Sequence, residues 1–378
     1  MKSSRLGMGL LAALALAWGC QKKEAGEIRI GEYGSLTGNT ATFGQSTHKG
    51  VLLAVEEANA AGGVLGKKIT LITEDDQSKP EEARTAALKL IRQDKVIALI
   101  GEVASSRSLA AAPEAQRAKI PMISSASTNP QVTQVGDFIF RACFIDPFQG
   151  GTMARFAFED LKVRRVAMLV DIKNDYSVGL SQFFEKTFKE LGGEIIASES
   201  YSEGDIEFRA QLTKIRESKP EAIFVPGYYT EAGLIAKQAR ELGLAIPLLG
   251  GDGWDSTVTL EIGKEAVEGV YFSNHYASDD PSPRIQEFIA KFKKRWEGEV
   301  PDAMAVLGYD AANMLLDAIR RAGEPDPIKI RDQLAATKEF AGVTGDMMID
   351  ADRNARKPIV ILKIEGGKFK FVKSLAPQ

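Results

Sequence analysis

Two cysteines and two histidines among 378 residues leave little material for metal or disulfide chemistry. Cys20 and Cys143 cannot form a Cys-x-x-Cys ligand pair, and His48 and His275 stand far apart, so no metal or cofactor is expected. An excess of basic residues is also missing. With 48 Lys and Arg against 51 Asp and Glu, the formal net charge is −3, and no basic stripe offers itself to phosphates, so nucleic acid is not an expected partner. Catalytic signatures are lacking too. No Gly-x-Ser-x-Gly elbow is present, and no Gly-x-Gly-x-x-Gly follows the first strand-like run. Gly66-Lys67 resembles a phosphate loop, but Ala61 stands where that loop needs Gly and Lys68 where it needs Ser or Thr. These gaps argue against an enzyme.

What is present begins with a leader. Lys2 and Arg5 precede an apolar run from Leu6 to Trp18, too short to span a bilayer but suited to a signal-peptide core. Gly19-Cys20 follows at once and resembles the bacterial lipoprotein signal. Residues 1–19 are therefore expected to be removed and Cys20 lipidated, with 20–27 as a polar tether to the membrane. A plain secretory signal with an incidental Cys20 is the alternative. Both place the mature chain outside the cytoplasm, and at 44% hydrophobic and 26% charged residues it has the composition of a soluble globular protein with room for two domains.

From Glu27 onward, short apolar runs that stop at Gly or small polar residues alternate with amphipathic helical segments, which predicts buried parallel strands in an α/β fold. Val96 to Ile100 stops at Gly101. Pro121 to Ile123 stops at Ser124. The succession recurs later: Ala222 to Pro226 stops at Gly227, Ile246-Pro247 introduces a strand as Ile120-Pro121 does, and Gly192-Gly193 answers Gly62-Gly63. Two doubly wound Rossmann-like lobes are expected. The C-terminal third carries more helix and a closing strand pair, so the chain must cross between the lobes several times, which makes a hinge. Pro113 should kink its helix or mark a restart.

In such sheets ligands sit beyond the carboxyl ends of the strands. The first lobe offers Ser105, Ser106 and Thr128 there. As helix caps these hydroxyls need no function, yet the backbone groups they serve are also those that bind a carboxylate. The second lobe offers Asp252, by default a turn residue, and otherwise a partner for an ammonium. A carboxylate site facing an ammonium site defines an α-amino acid pocket. Phe43, Tyr176, Tyr228 and Trp254 lie in loops near these ends, either as packing or as a ligand wall. Glu102 is either a second ligand-facing charge or a solvated loop residue.

GSLTGNTATFGQ, EEANAAGGVLGKKI, EDDQSKPEEA, IGEVASS and PMISSASTNP in the first half, with VPGYYTEAGLIAKQARELG and LLGGDGW in the second, resemble the substrate-binding proteins of branched-chain amino acid ABC transporters, the Leu/Ile/Val-binding type. The resemblance covers nearly the whole mature chain. It implies two lobes joined by a three-crossover hinge: 28–146 with 275–355, and 147–274 with 356–378. It also implies a carboxylate site at Ser105, Thr128 and Ala126, an ammonium site at Asp252 beside Tyr228, Tyr176 reaching across, and Phe43 on the ligand side chain. Asp252 is shorter than the Glu of classical members, and Glu102 and Trp254 add a charge and a bulky ring. The implied function is capture of an amino acid, aliphatic or polar, by a monomer that delivers it to a permease. A sensory module for a small amide or purine is the alternative on the same fold.

Overall fold

Residues 26–377 are described in a computed structural model, so the leader 1–19 and Cys20 lie outside the described residues. The first lobe is a parallel sheet built from β1 (Ile28–Gly34), β2 (Ile69–Asp75), β3 (Ala98–Gly101), β4 (Met122–Ser124) and β5 (Ile139–Arg141), in the order β2-β1-β3-β4-β5. Then β6 (Arg165–Asp171), β7 (Glu194–Tyr201), β8 (Ala222–Phe224), β9 (Leu248–Gly250) and β10 (Tyr271–Asn274) repeat that order as β7-β6-β8-β9-β10. A small sheet of β11 (Phe340–Gly342), β12 (Gly345–Ile349) and β13 (Ala355–Arg356) follows, and β14 (Ile359–Glu365) and β15 (Lys368–Leu375) extend the second large sheet antiparallel beside β10. This is a type I periplasmic binding protein fold. In each lobe the strand order reverses beside the first strand, and at such a point the loops diverge and leave a crevice.

The helices follow from their sequences. Pro80 opens Pro80–Arg92, with Glu81 and Glu82 in its first turn and Lys89 and Arg92 in its last, each charge matching the helix dipole. Its Ala83, Ala86, Ala87 and Leu90 are buried. Pro113 causes no restart: Ser105–Ala118 is one helix through it, with Ala111, Ala112 and Ala115 packed in the core around the position where a backbone donor is lost.

The late helix Ala303–Ala322 returns to the first lobe and lies along Ala41–Ala60. Paired glycines allow the contact. A Cβ on Gly50 would fall 1.9 Å from the Ala305 carbonyl oxygen, and one on Gly308 would fall 2.4 Å from that of Thr47. The chain thus crosses between lobes after β5, after β10 and between β13 and β14. Near the first crossing Cys143 is fully buried, its thiol donating to the Ser127 carbonyl at 3.3 Å, and burial pushes it up to about 12.

Candidate functional site

At the end of β3, Gly101 lies under the Tyr33 ring, where a Cβ would come within 2.3 Å of it. Glu102 follows, buried, and its carboxylate accepts from the Ser35 amide at 3.1 Å, the Ser35 hydroxyl at 2.7 Å and the Ala104 amide. It fastens its own loop to β1. Glu102 is therefore neither solvated nor turned to the cleft: a buried carboxylate needs donors, and Ser35 and Ala104 supply them.

The carbonyl of Glu102 accepts from the Ser124 hydroxyl at 2.8 Å and the Ser127 hydroxyl at 2.9 Å, tying the ends of β3 and β4 together. From β5 the buried Arg141 donates to the carbonyls of Ser127 at 2.5 Å and Asn129 at 2.8 Å. The loop carrying Ala126 and Thr128 is thus held from both sides. Ser105 accepts from the Asn129 amide at 3.2 Å, which places it against the same loop. No side chain caps the helix that starts at Ser105, and the buried Thr128 hydroxyl lies beside the Asp146 carboxyl. Asp146, whose amide donates to the Thr128 carbonyl at 3.0 Å, is pushed up to about 8 by burial.

In the second lobe, β9 ends at Gly250 and turns through Asp252-Gly253-Trp254. The Trp254 ring folds back over Gly250, where a Cβ would meet it at 2.5 Å, and its indole donates to the Val225 carbonyl at 3.0 Å. Trp254 is wholly buried in the core on one face of this sheet, so it belongs to packing and not to a ligand wall. Asp252 points elsewhere. One oxygen accepts from Gln149 at 2.7 Å and the other meets His275 Nε2 at 2.9 Å. Burial lowers His275 to about 4, so the ring is neutral and donates from Nε2, and it stacks on Phe144 at 3.8 Å. Two neutral donors orient the Asp252 carboxylate without neutralising its charge.

Aromatic rings join the halves. Tyr176 and Tyr228 stack at 5.4 Å and 8°, the Phe43 ring meets Tyr228 at 5.4 Å and 87°, and the Tyr176 hydroxyl accepts from the Gly253 amide at 3.2 Å. Phe43, Ala126, Tyr176 and Tyr228 share one buried cluster that spans both lobes. Polar contacts cross the same seam: Asp175 N to Ser106 Oγ at 3.0 Å, Asn129 Nδ2 to Asp175 O at 2.8 Å, and Arg107 to Glu203 at 3.0 Å. The lobes are closed on each other. Of the residues expected from sequence, Glu102 and Trp254 stand apart, and the other seven line this seam or the loops that flank it.

Gln149, His275, Arg107 and Asn174 were not anticipated. His275 directly follows β10, beside the carboxyl end of its parallel neighbour β9, but no glycine or turn residue marks that strand end in the sequence. Gln149 had no signal either, since it reaches Asp252 across 103 positions.

Two repeated sheets that aim their strand ends at one seam, joined by three crossings, define a hinged protein that closes over a small ligand. The chain belongs to the periplasmic binding protein family, whose model matches residues 27–368. A leucine-binding protein LivK from Thermotoga maritima has 42% identity and a TM-score of 0.89, over 93% of this chain and 99% of that one. The branched-chain amino acid transporter substrate-binding protein LivJ from Streptococcus pneumoniae, solved in complex with isoleucine, has 34% identity and a TM-score of 0.88, over 93% and 100%. A leucine-, isoleucine-, valine-, threonine- and alanine-binding protein from Pseudomonas aeruginosa is 30% identical, over 90% of this chain and 91% of its own. The family is one of extracytoplasmic solute-binding proteins and not of enzymes.

Proposed function

We propose that this protein captures an α-amino acid between its lobes and delivers it to an ABC transporter permease. The observation that carries the reading is Asp252, a buried carboxylate oriented by Gln149 and His275, on the lobe opposite the uncapped helix start at Ser105. In this reading Ser105, Ala126 and Thr128 hold the ligand carboxylate, Asp252 holds the ammonium beside Tyr228, and Tyr176 and Phe43 close the wall. The relatives named for leucine, isoleucine and valine support the amino acid. Lobes of 28–146 with 275–355 and 147–274 with 356–378 close about the hinge, and closure gives the permease a state to recognise. Cys20 carries lipid and tethers a monomer outside the cytoplasm.

Calorimetry of protein unfolded and refolded to remove carried ligand, titrated with a panel of L-amino acids, tests the reading. Binding of at least one in the micromolar range or tighter supports it, and no binding to any of them sinks it. Mass spectrometry of the membrane-extracted protein, against a Cys20→Ser variant, tests the lipid.

A further inference from the structure

We propose that Asp76 is a positioning residue for the carboxylate end of the ligand site: it keeps one proton, and through Ser35 and Glu102 that proton sets the helix start at Ser105. The inference rests on the amino-acid reading above. The strand order β2-β1-β3 places three residues side by side, each the first past its strand: Asp76 after β2, Ser35 after β1 and Glu102 after β3. All three are buried.

The Ser35 hydroxyl lies 2.8 Å from Asp76 Oδ1 and 2.7 Å from Glu102 Oε1. Both are the length of a full O–H···O bond, and one hydroxyl proton makes only one of them. The other bond needs a proton from a carboxyl, so the two acids hold one proton between them. Donors decide where it sits. Glu102 also accepts from the amides of Ser35 and Ala104, one on each oxygen, whereas Asp76 has the Ser78 amide at 3.0 Å. Asp76 is therefore the acid and donates to Ser35, and Ser35 donates to Glu102. Burial first, and then the Glu102 charge, push Asp76 up to about 8.

Neighbouring charge does not replace the proton. The cation that acts on the pair is Arg107, but its guanidinium donates to Thr40 at 2.8 Å, to the Ser78 carbonyl at 2.9 Å and to Glu203 at 3.0 Å. Asp75 turns to the Leu36 and Thr37 amides, Glu32 is held by His48 at 2.6 Å, and burial keeps the Tyr33 hydroxyl neutral. Glu203 reaches Arg107 from the other lobe when the cleft shuts, and then takes the charge that would steady a second carboxylate. Closure thus tightens the hold of Asp76 on its proton, and by linkage the proton favours closure. Once Asp76 ionises, two carboxylates face one hydroxyl, and the Ala104 amide at the helix start loses its fixed partner.

The test is calorimetry of the ligand-free full-length protein with L-leucine at pH 7 and pH 9.5, for the wild type and for Asp76→Asn, whose amide keeps a donor for Ser35 and cannot ionise. Should leucine not bind, the tightest binder of the amino-acid panel replaces it. At pH 7 the two proteins should bind within about twofold of each other. At pH 9.5 the wild type should bind about tenfold more weakly than the variant. The amine of the amino acid titrates alike in both and cancels from the ratio. A ratio unchanged between the two pH values overturns the proposal while leaving the amino-acid reading intact. The wild type alone supplies the second measurement, proton uptake on binding at pH 8.5, read in two buffers of different ionisation enthalpy. Uptake beyond that of the ligand amine is expected, and its absence counts against the proposal. If no L-amino acid binds, the amino-acid reading falls and takes the positioning role with it.

Discussion

Arg107 and Glu203 meet at 3.0 Å, one from the helix after β3 and the other from the loop after β7, with the guanidinium buried and the carboxylate about three-quarters so. Each partner belongs to a different lobe. The bond therefore exists only when the cleft is shut, and it biases the open-closed equilibrium without touching the ligand's α-carbon groups.

Glu203→Gln should weaken ligand binding by about 1.5–3 kcal/mol, the range for a hydrogen bond to a charged group. Because the loss comes from closure, small-angle scattering at half-saturating ligand should show a larger mean radius of gyration than for the wild type. Equal affinity and equal scattering would mean that the pair contributes nothing to closure.

Asp252→Ala should cost about 2–5 kcal/mol of amino-acid affinity, as expected for removing one partner of a buried charge pair. Ser105→Ala should cost less, about 1–3 kcal/mol, because backbone N–H groups at the helix start remain to hold the carboxylate. Titration calorimetry orders the two. An Asp252→Ala variant with wild-type affinity would reduce Asp252 to a turn residue.

Acid should weaken the protein through His275. Its folded value is lowered to about 4 by burial, against about 6.5 in an unfolded chain, so the unfolded state takes the proton first. This contribution is intact above about pH 6.5 and is lost as pH falls toward about 4, to the extent of about 3 kcal/mol. Asp146 runs the other way: raised to about 8, it costs stability as pH rises from about 4, a change at least as large as that of His275, so only the comparison with a His275 variant isolates the histidine. Urea unfolding of wild type and His275→Gln at pH 7 and pH 4.5 separates them. The wild type should lose stability relative to the variant at the lower pH, and parallel behaviour would refute the assignment to His275.

Trp254→Ala should destabilise the fold by about 3–5 kcal/mol, the range for a large aromatic removed from a core. Thermal unfolding measures it. The effect should appear equally in ligand-free protein and be unrelated to which amino acid is added. A variant with unchanged melting but altered ligand choice would return Trp254 to the cleft.

The parts legible in the sequence were those with a local stop. β3, β4 and β9 are short apolar runs closed by Gly101, Ser124 and Gly250, and the doubling of Ile-Pro and Gly-Gly marks exposed the repeat. β5 and β10 are equally short but run into Ala142 and His275 with no glycine, so nothing local announced them. Glu102 and Trp254 illustrate the limit at the site. Both stand at strand ends where ligands bind, but which way a side chain turns there depends on Ser35 and Val225, 67 and 29 positions away. Gln149 and His275 were hidden for the same reason, as orienting groups that exist only through the folded contact.

Cys143, sealed at the first crossing with its thiol on the Ser127 carbonyl, gives the molecule an internal clock. A thiolate is the reactive form, and burial suppresses it, so a soluble thiol reagent can reach this sulfur only when the hinge region comes apart. Labelling rates with and without ligand would then read the frequency of that opening directly. Among the described residues no disulfide braces the fold, and oxidants do not reach this sulfur while the hinge region stays shut.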